Sequence, residues 1–142
     1  MQNTRYPSLD LKAVMAHKPP MLLVDKINKA EKDFAVTAFK VKEDNIFLTE
    51  ENILSREALI EIMAQSLAAL NGYNAFAEGK KAEKGFLVYL KNINFYADAR
   101  AGDELTCNVK VIDFVARTYI AQAEIFNNAI LLADGELRIF TF

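Results

Sequence analysis

The sequence has one cysteine, one histidine, three prolines, five glycines and no tryptophan in 142 residues. With Cys107 alone, neither an internal disulfide nor a cysteine-built zinc cluster can form. With His17 alone, zinc sites of two or three imidazoles cannot form within one chain, and no metal site is expected. A Ser/His/Asp triad is formally open, but no Gly-x-Ser-x-Gly elbow occurs. The glycines are scattered and form no phosphate-cradling loop, so nucleotide chemistry is not expected. No apolar stretch reaches the roughly 18 residues of a membrane span. The opening Met1-Gln2-Asn3-Thr4-Arg5-Tyr6-Pro7 has no apolar core of a secretory signal. A net charge of −2 and a pI near 5.5 give no basic field to attract nucleic acid. The chain reads as cytoplasmic.

What is present suits a single globular domain spanning 1–142, with 52% hydrophobic and 25% charged residues. Ser8 to Ala16 reads as a short amphipathic helix that Ser8 can cap, with Leu11, Val14 and Met15 on one face. Pro19-Pro20 then stops any helix and stiffens a turn after His17. Met21 to Ile27 reads as a strand, Lys29 to Asp33 as a charged turn, and Phe34 to Val41 as the strand that pairs back. Lys42 to Leu54 reads as a loop.

Arg56 to about Phe76 is a run of helix formers, with Ser55 as N-cap and Glu57 suiting the helix dipole. Leu59, Ile60, Met63, Leu67 and Leu70 make one greasy face. Ala58, Glu61, Gln65, Ala68 and Gly72 make a second, of small residues. A helix apolar on nearly all sides must be wrapped by other structure. The remainder is strand-like: Gly85 to Tyr96, the alternating run from Leu105, a third run through Tyr119 to Ile125, and Leu131 to Phe142. Ala116-Arg117 and Asn127-Asn128 are candidate tight turns, and Gly135 is a candidate bulge. The pattern predicts an α+β fold in which a curled antiparallel sheet surrounds one long helix. Exposed sheet edges predict at least a dimer with a continuous sheet.

Ala16-His17-Lys18-Pro19-Pro20-Met21-Leu22-Leu23-Val24-Asp25 resembles the opening motif of the 3-hydroxyacyl-carrier-protein dehydratases, a family of hotdog fold. Ile60-Glu61-Ile62-Met63-Ala64-Gln65 is similar to that family's Glu-x-Met-Ala-Gln motif, whose glutamate is catalytic. Leu90 to Phe95 and Gly102 to Leu105 match its later strands in order. The resemblance covers nearly the whole chain. One departure stands out. The family's Gly-His-Phe-Pro-Gly loop is absent, and Phe47 stands where its histidine would fall. In this the chain resembles the divergent dehydratase-like proteins of aryl-polyene pathways.

The resemblance implies dehydration of 3-hydroxyacyl thioesters, carried by acyl carrier protein or coenzyme A, with no metal or redox cofactor. A base must take a proton from C2 and an acid must protonate the leaving hydroxyl. Desolvation favours a neutral carboxylic acid, so Glu61 is expected to be the donor. His17, the only imidazole, is expected to be the base or to position it. Gln65 would bond the substrate or orient the carboxylate, and the acyl chain would lie along Ala58, Ala64 and Ala68 at a subunit interface. Simpler roles stand beside these. Glu61 suits a paired structural carboxylate, His17 a turn-fixing hydrogen bond, and Gln65 plain packing. Cys107 reads as core, and Tyr96 and Tyr119 as sheet or interface aromatics. Lys80, Lys81, Lys84 and Arg100 suit an acidic carrier protein, or merely a solvated turn. Two rival functions are a thioesterase, in which Glu61 activates water, and a non-catalytic acyl-binding subunit of a hetero-oligomeric dehydratase.

Overall fold

The computed structural model describes residues 9–142. Its elements are α1 (Leu11–Val14), β1 (Lys26–Glu31), β2 (Phe34–Lys40), α2 (Arg56–Ala77), β3 (Gly85–Phe95), β4 (Glu104–Val115), β5 (Thr118–Asn127) and β6 (Ile130–Thr141). The strands form one antiparallel sheet in the order β1-β2-β4-β5-β6-β3. Every strand contacts α2, so the sheet wraps the helix in the α+β hotdog arrangement that the sequence predicts. No helix among the described residues is long and apolar enough to cross a membrane.

The helix forms where its caps place it. Ser55 Oγ accepts from Ala58 N, and Glu57 lies in the first turn. Of the expected greasy face, Leu59, Met63, Leu67 and Leu70 are buried, but Ile60 is only half-buried. Short turns set the strand register. Ala116 and Arg117 both have positive φ (52° and 58°), which fits the twist of the β4–β5 hairpin. Asn128, at φ 55°, turns β5 into β6.

Three expectations need correction. The first strand is displaced: residues 21–25 join no strand, β1 begins at Lys26, and the turn shrinks to Lys32 and Asp33. An apolar run marks burial, and Leu23 and Val24 are buried without pairing in a ladder, Leu23 N being held instead by Gln65 of α2. The first helix is one turn long and is capped by Asp10, whose side chain accepts from Lys12 N at 3.0 Å; Ser8 lies outside the described residues. Gly135 pairs regularly with Ala123, and the bulge lies across from it in β3, where Asn92 has a φ of 53°. The missing Gly135 side chain leaves room for Ile93, whose Cδ1 would lie 2.1 Å from a Cβ there.

Small side chains run across the middle of the sheet in the register Ala35, Val109, Ala123, Gly135. They let Met63 and Leu67 of α2 settle into one continuous core. The next register row holds Thr37 and Cys107. Thr37 Oγ1 lies 2.7 Å from Ser66 Oγ, and Ser66 Oγ lies 2.7 Å from the Ile62 carbonyl oxygen, so these buried hydroxyls satisfy each other and the helix. Burial pushes the Cys107 thiol up to about 12, against smaller lowering by hydrogen bonds to Ser66 and Glu124. Thiolate is the reactive form. Native protein at pH 8 should therefore resist a thiol reagent such as dithionitrobenzoate, and react fully on unfolding; prompt labelling of native protein would contradict this packing.

Candidate active site

The sequence puts His17 between two backbone-stiffening features. Upstream, α1 rests on α2 at Gly72, where a Cβ would lie 2.9 Å from the Val14 carbonyl oxygen. Lys18 Nζ folds back to bond the carbonyl oxygens of Lys12 and Met15, closing the end of α1. Downstream, Met21 N and Leu22 N both donate to Lys18 O, at 2.8 and 3.0 Å, which tightens the proline turn. His17 is thereby held over the N-terminal half of α2.

There it meets the glutamate. His17 Nε2 lies 3.6 Å from Glu61 Oε1, and the two side chains are 35% and 39% exposed. Glu61 is therefore not the deeply desolvated acid expected from its apolar helix; it lies on the face of α2 that neither the sheet nor α1 covers. On the other side of the imidazole, His17 Nδ1 is buried and has no hydrogen-bond partner among the described residues.

Gln65, one turn along, is completely buried. Its Oε1 accepts from Leu23 N at 2.6 Å, and its Nε2 donates to Met21 O at 2.9 Å and to Glu61 Oε1 at 3.0 Å. Both amide hydrogens and the carbonyl oxygen are thus engaged with protein groups. That matches an orienting role for the carboxylate and leaves no polar atom of Gln65 for a substrate.

The expected small-residue wall divides in two. Ala64 and Ala68 are half-buried beside Ile60 and Glu61, Ala64 packing against the sheet-side core and Ala68 against the cluster under α1, whereas Ala58 is fully buried in the core beneath the sheet. Tyr96 bonds Asp134 at 3.1 Å, and Tyr119 lines a groove beside Asn74 and Glu78, so neither joins His17 and Glu61. Arg100 also stands apart from the lysines of the loop after α2. Lys80 pairs with Glu78 at 3.5 Å beyond the C-terminal end of α2, while Arg100 bridges to Ile53 just before its N-terminal end. A 22-residue helix of about 30 Å separates them. The sequence reading overlooked Lys18; its only signal was a long cation just after a short helix.

An imidazole nitrogen, a half-exposed carboxylate and a buried amide that holds the carboxylate form an arrangement able to move protons. The ApeP-like family model, described as ApeP dehydratase, matches residues 9–141. The chain is 26% identical to the 3-hydroxyacyl-(acyl-carrier-protein) dehydratase FabZ of Nitratiruptor sp., covering 92% of this chain and 93% of that one. It is 32% identical to the enzyme of the same name from Coxiella burnetii, covering 72% of this chain and 76% of that one. Among solved structures it is similar to the dehydratase heterocomplex ApeI:P from Xenorhabdus doucetiae, with a TM-score of 0.88 and 18% identity over 94% of this chain and 91% of that chain. At that identity the likeness speaks for the fold.

Replacing Gln65 by leucine would strand the buried Leu23 N and remove the partner of the part-buried Met21 O. Each unpaired group costs about 1–3 kcal/mol, so Gln65→Leu should lower the unfolding free energy by roughly 2–5 kcal/mol. Denaturant unfolding checks this, and an unchanged midpoint would mean that the amide is not what secures residues 21–23.

Proposed function

The chain belongs to the ApeP-like dehydratase family, and from that premise we propose that it converts 3-hydroxyacyl thioesters to trans-2-enoyl thioesters. The thioester would be borne by acyl carrier protein or coenzyme A, in a fatty-acid or polyene type pathway of the cytoplasm. The observation that carries this reading is the contact of His17 with Glu61 within one chain, with Gln65 fixing the carboxylate. Glu61 exchanges a proton with the leaving hydroxyl. His17 is the base at C2 or holds the carboxylate in place. Elimination beside a thioester suits this residue set, because the carbonyl already acidifies the C2 hydrogen. The acyl chain would pass along Ala64 and Ala68, on the open side of α2.

The sheet edges also support a second subunit. The two edges of the sheet differ: β1 is six residues long and carries Lys26, Lys29 and Glu31, whereas β3 is eleven residues long and exposes Phe86, Leu87, Val88, Tyr89 and Leu90. Charged, short edges discourage pairing and long apolar ones invite it. We therefore propose a dimer joined through β3, by a second copy of this chain or by another hotdog dehydratase.

The product separates dehydration from the thioesterase and non-catalytic readings. With a short 3-hydroxyacyl thioester, the protein should form enoyl product without freeing thiol, and Glu61→Gln should lower that rate by at least about 100-fold. Thiol release would move the chain to the thioesterases. Silence in both channels from a folded protein would favour a non-catalytic subunit. For the dimer, Val88→Lys places like charges at the β3 edge; sedimentation should show loss of the dimer, and an undisturbed dimer would place the interface elsewhere.

A further inference from the structure

We infer that His17 keeps a proton on Nε2, facing Glu61, and that the Glu61 carboxylate alone moves both protons of the elimination; this rests on the dehydratase reading above. The buried side of the imidazole decides its role. A neutral imidazole carries one N–H and one bare nitrogen, and an imidazolium carries two N–H groups. To act as a base at Nε2, His17 must begin with its proton on Nδ1 and end with protons on both nitrogens. Nδ1 is buried without a hydrogen-bond partner among the described residues, so each of those states would bury an unpaired donor, the second one charged. The remaining state puts the proton on Nε2, 3.6 Å from Glu61 Oε1, where an acceptor waits. That state leaves only a bare nitrogen lone pair on the buried side.

The carboxylate is arranged to match. Its Oε1 accepts from Gln65 Nε2 at 3.0 Å, and His17 Nε2 approaches the same oxygen at 3.6 Å. Oε2 is the oxygen left to meet the substrate. It takes the C2 proton as the C2–H electron pair becomes the C2=C3 double bond. The C3–O bond breaks, and the departing oxygen takes the same proton back from Oε2 and leaves as water. Glu61 ends as the carboxylate it began as, and no second base or further reactant is consumed. The Gly-His-Phe-Pro-Gly histidine is then dispensable in this chain.

The single histidine makes a direct test feasible. Full-length protein labelled with nitrogen-15 in histidine gives two ring signals, both from His17. At neutral pH the proton should reside on Nε2, with Nδ1 bare. A proton on Nδ1, or on both nitrogens, would overturn the inference. Enoyl-forming assays of two variants supply the catalytic arm. His17→Gln keeps an amide donor near the Nε2 position and should lose no more than about tenfold, whereas His17→Leu, lacking any donor, should lose more. If His17 is the base, glutamine and leucine should be equally damaging, by roughly 10²–10⁴-fold; equal losses therefore refute the shuttle. Wild-type protein that forms no enoyl product would overturn the dehydratase reading and the shuttle together, while the position of the His17 proton would still be read from the nitrogen signals.

Discussion

Between Met21 and Leu23 the backbone crosses α2 with no neighbouring strand to satisfy it, and the buried side chain of Gln65 supplies the missing partners. Buried backbone groups must be paired, so this stretch can lie where it does only because a glutamine faces it. The same amide holds Glu61 Oε1. One side chain therefore ties the wall that carries His17 to the helix that carries Glu61. Fold and site share a fastening, and neither can be altered there without disturbing the other.

The rest follows from how α2 is covered. The sheet closes one side through a core whose central row is kept shallow by Ala35, Ala123 and Gly135. The short α1 closes a second side, and it can approach because Gly72 has no side chain to hold it away. A third side, with Ile60, Glu61, Ala64 and Ala68, stays half-open. Polar chemistry and apolar surface coincide on that side, as a site for an acyl thioester requires. The long, apolar edge of β3 is the other surface left exposed in the single chain.

Much of this was legible in the sequence. The capped apolar run from Ser55 reads as a helix that must be wrapped, and the alternating strands after it leave a curled antiparallel sheet as the simplest wrapping. Glu61, Gln65 and His17 were legible through motif resemblance, and they do meet. Other features needed three dimensions. A run such as Met21 to Asp25 looks the same whether its backbone pairs with a strand or with a glutamine 42 residues on. The expected alignment of Ala58 with Ala64 and Ala68 failed because spacing alone does not say which flank of a helix the sheet will take. Gly135 announced a bulge but not which strand would bulge. The exposure of Glu61, and the burial of His17 Nδ1 without a partner among the described residues, depend on surrounding atoms that no spacing reports.

The central claim is that one chain holds both His17 and Glu61 of its own site, and subunit mixing tests it most directly. Glu61→Gln and His17→Leu chains, each folded and each weakened alone, would be unfolded together, refolded as mixed assemblies and assayed for enoyl formation. If the pair lies within one chain, a mixed assembly contains no site with both residues, and activity should stay at the sum of the two variants. Activity rising well above that sum would mean that His17 serves the Glu61 of a neighbouring subunit, and would contradict the account.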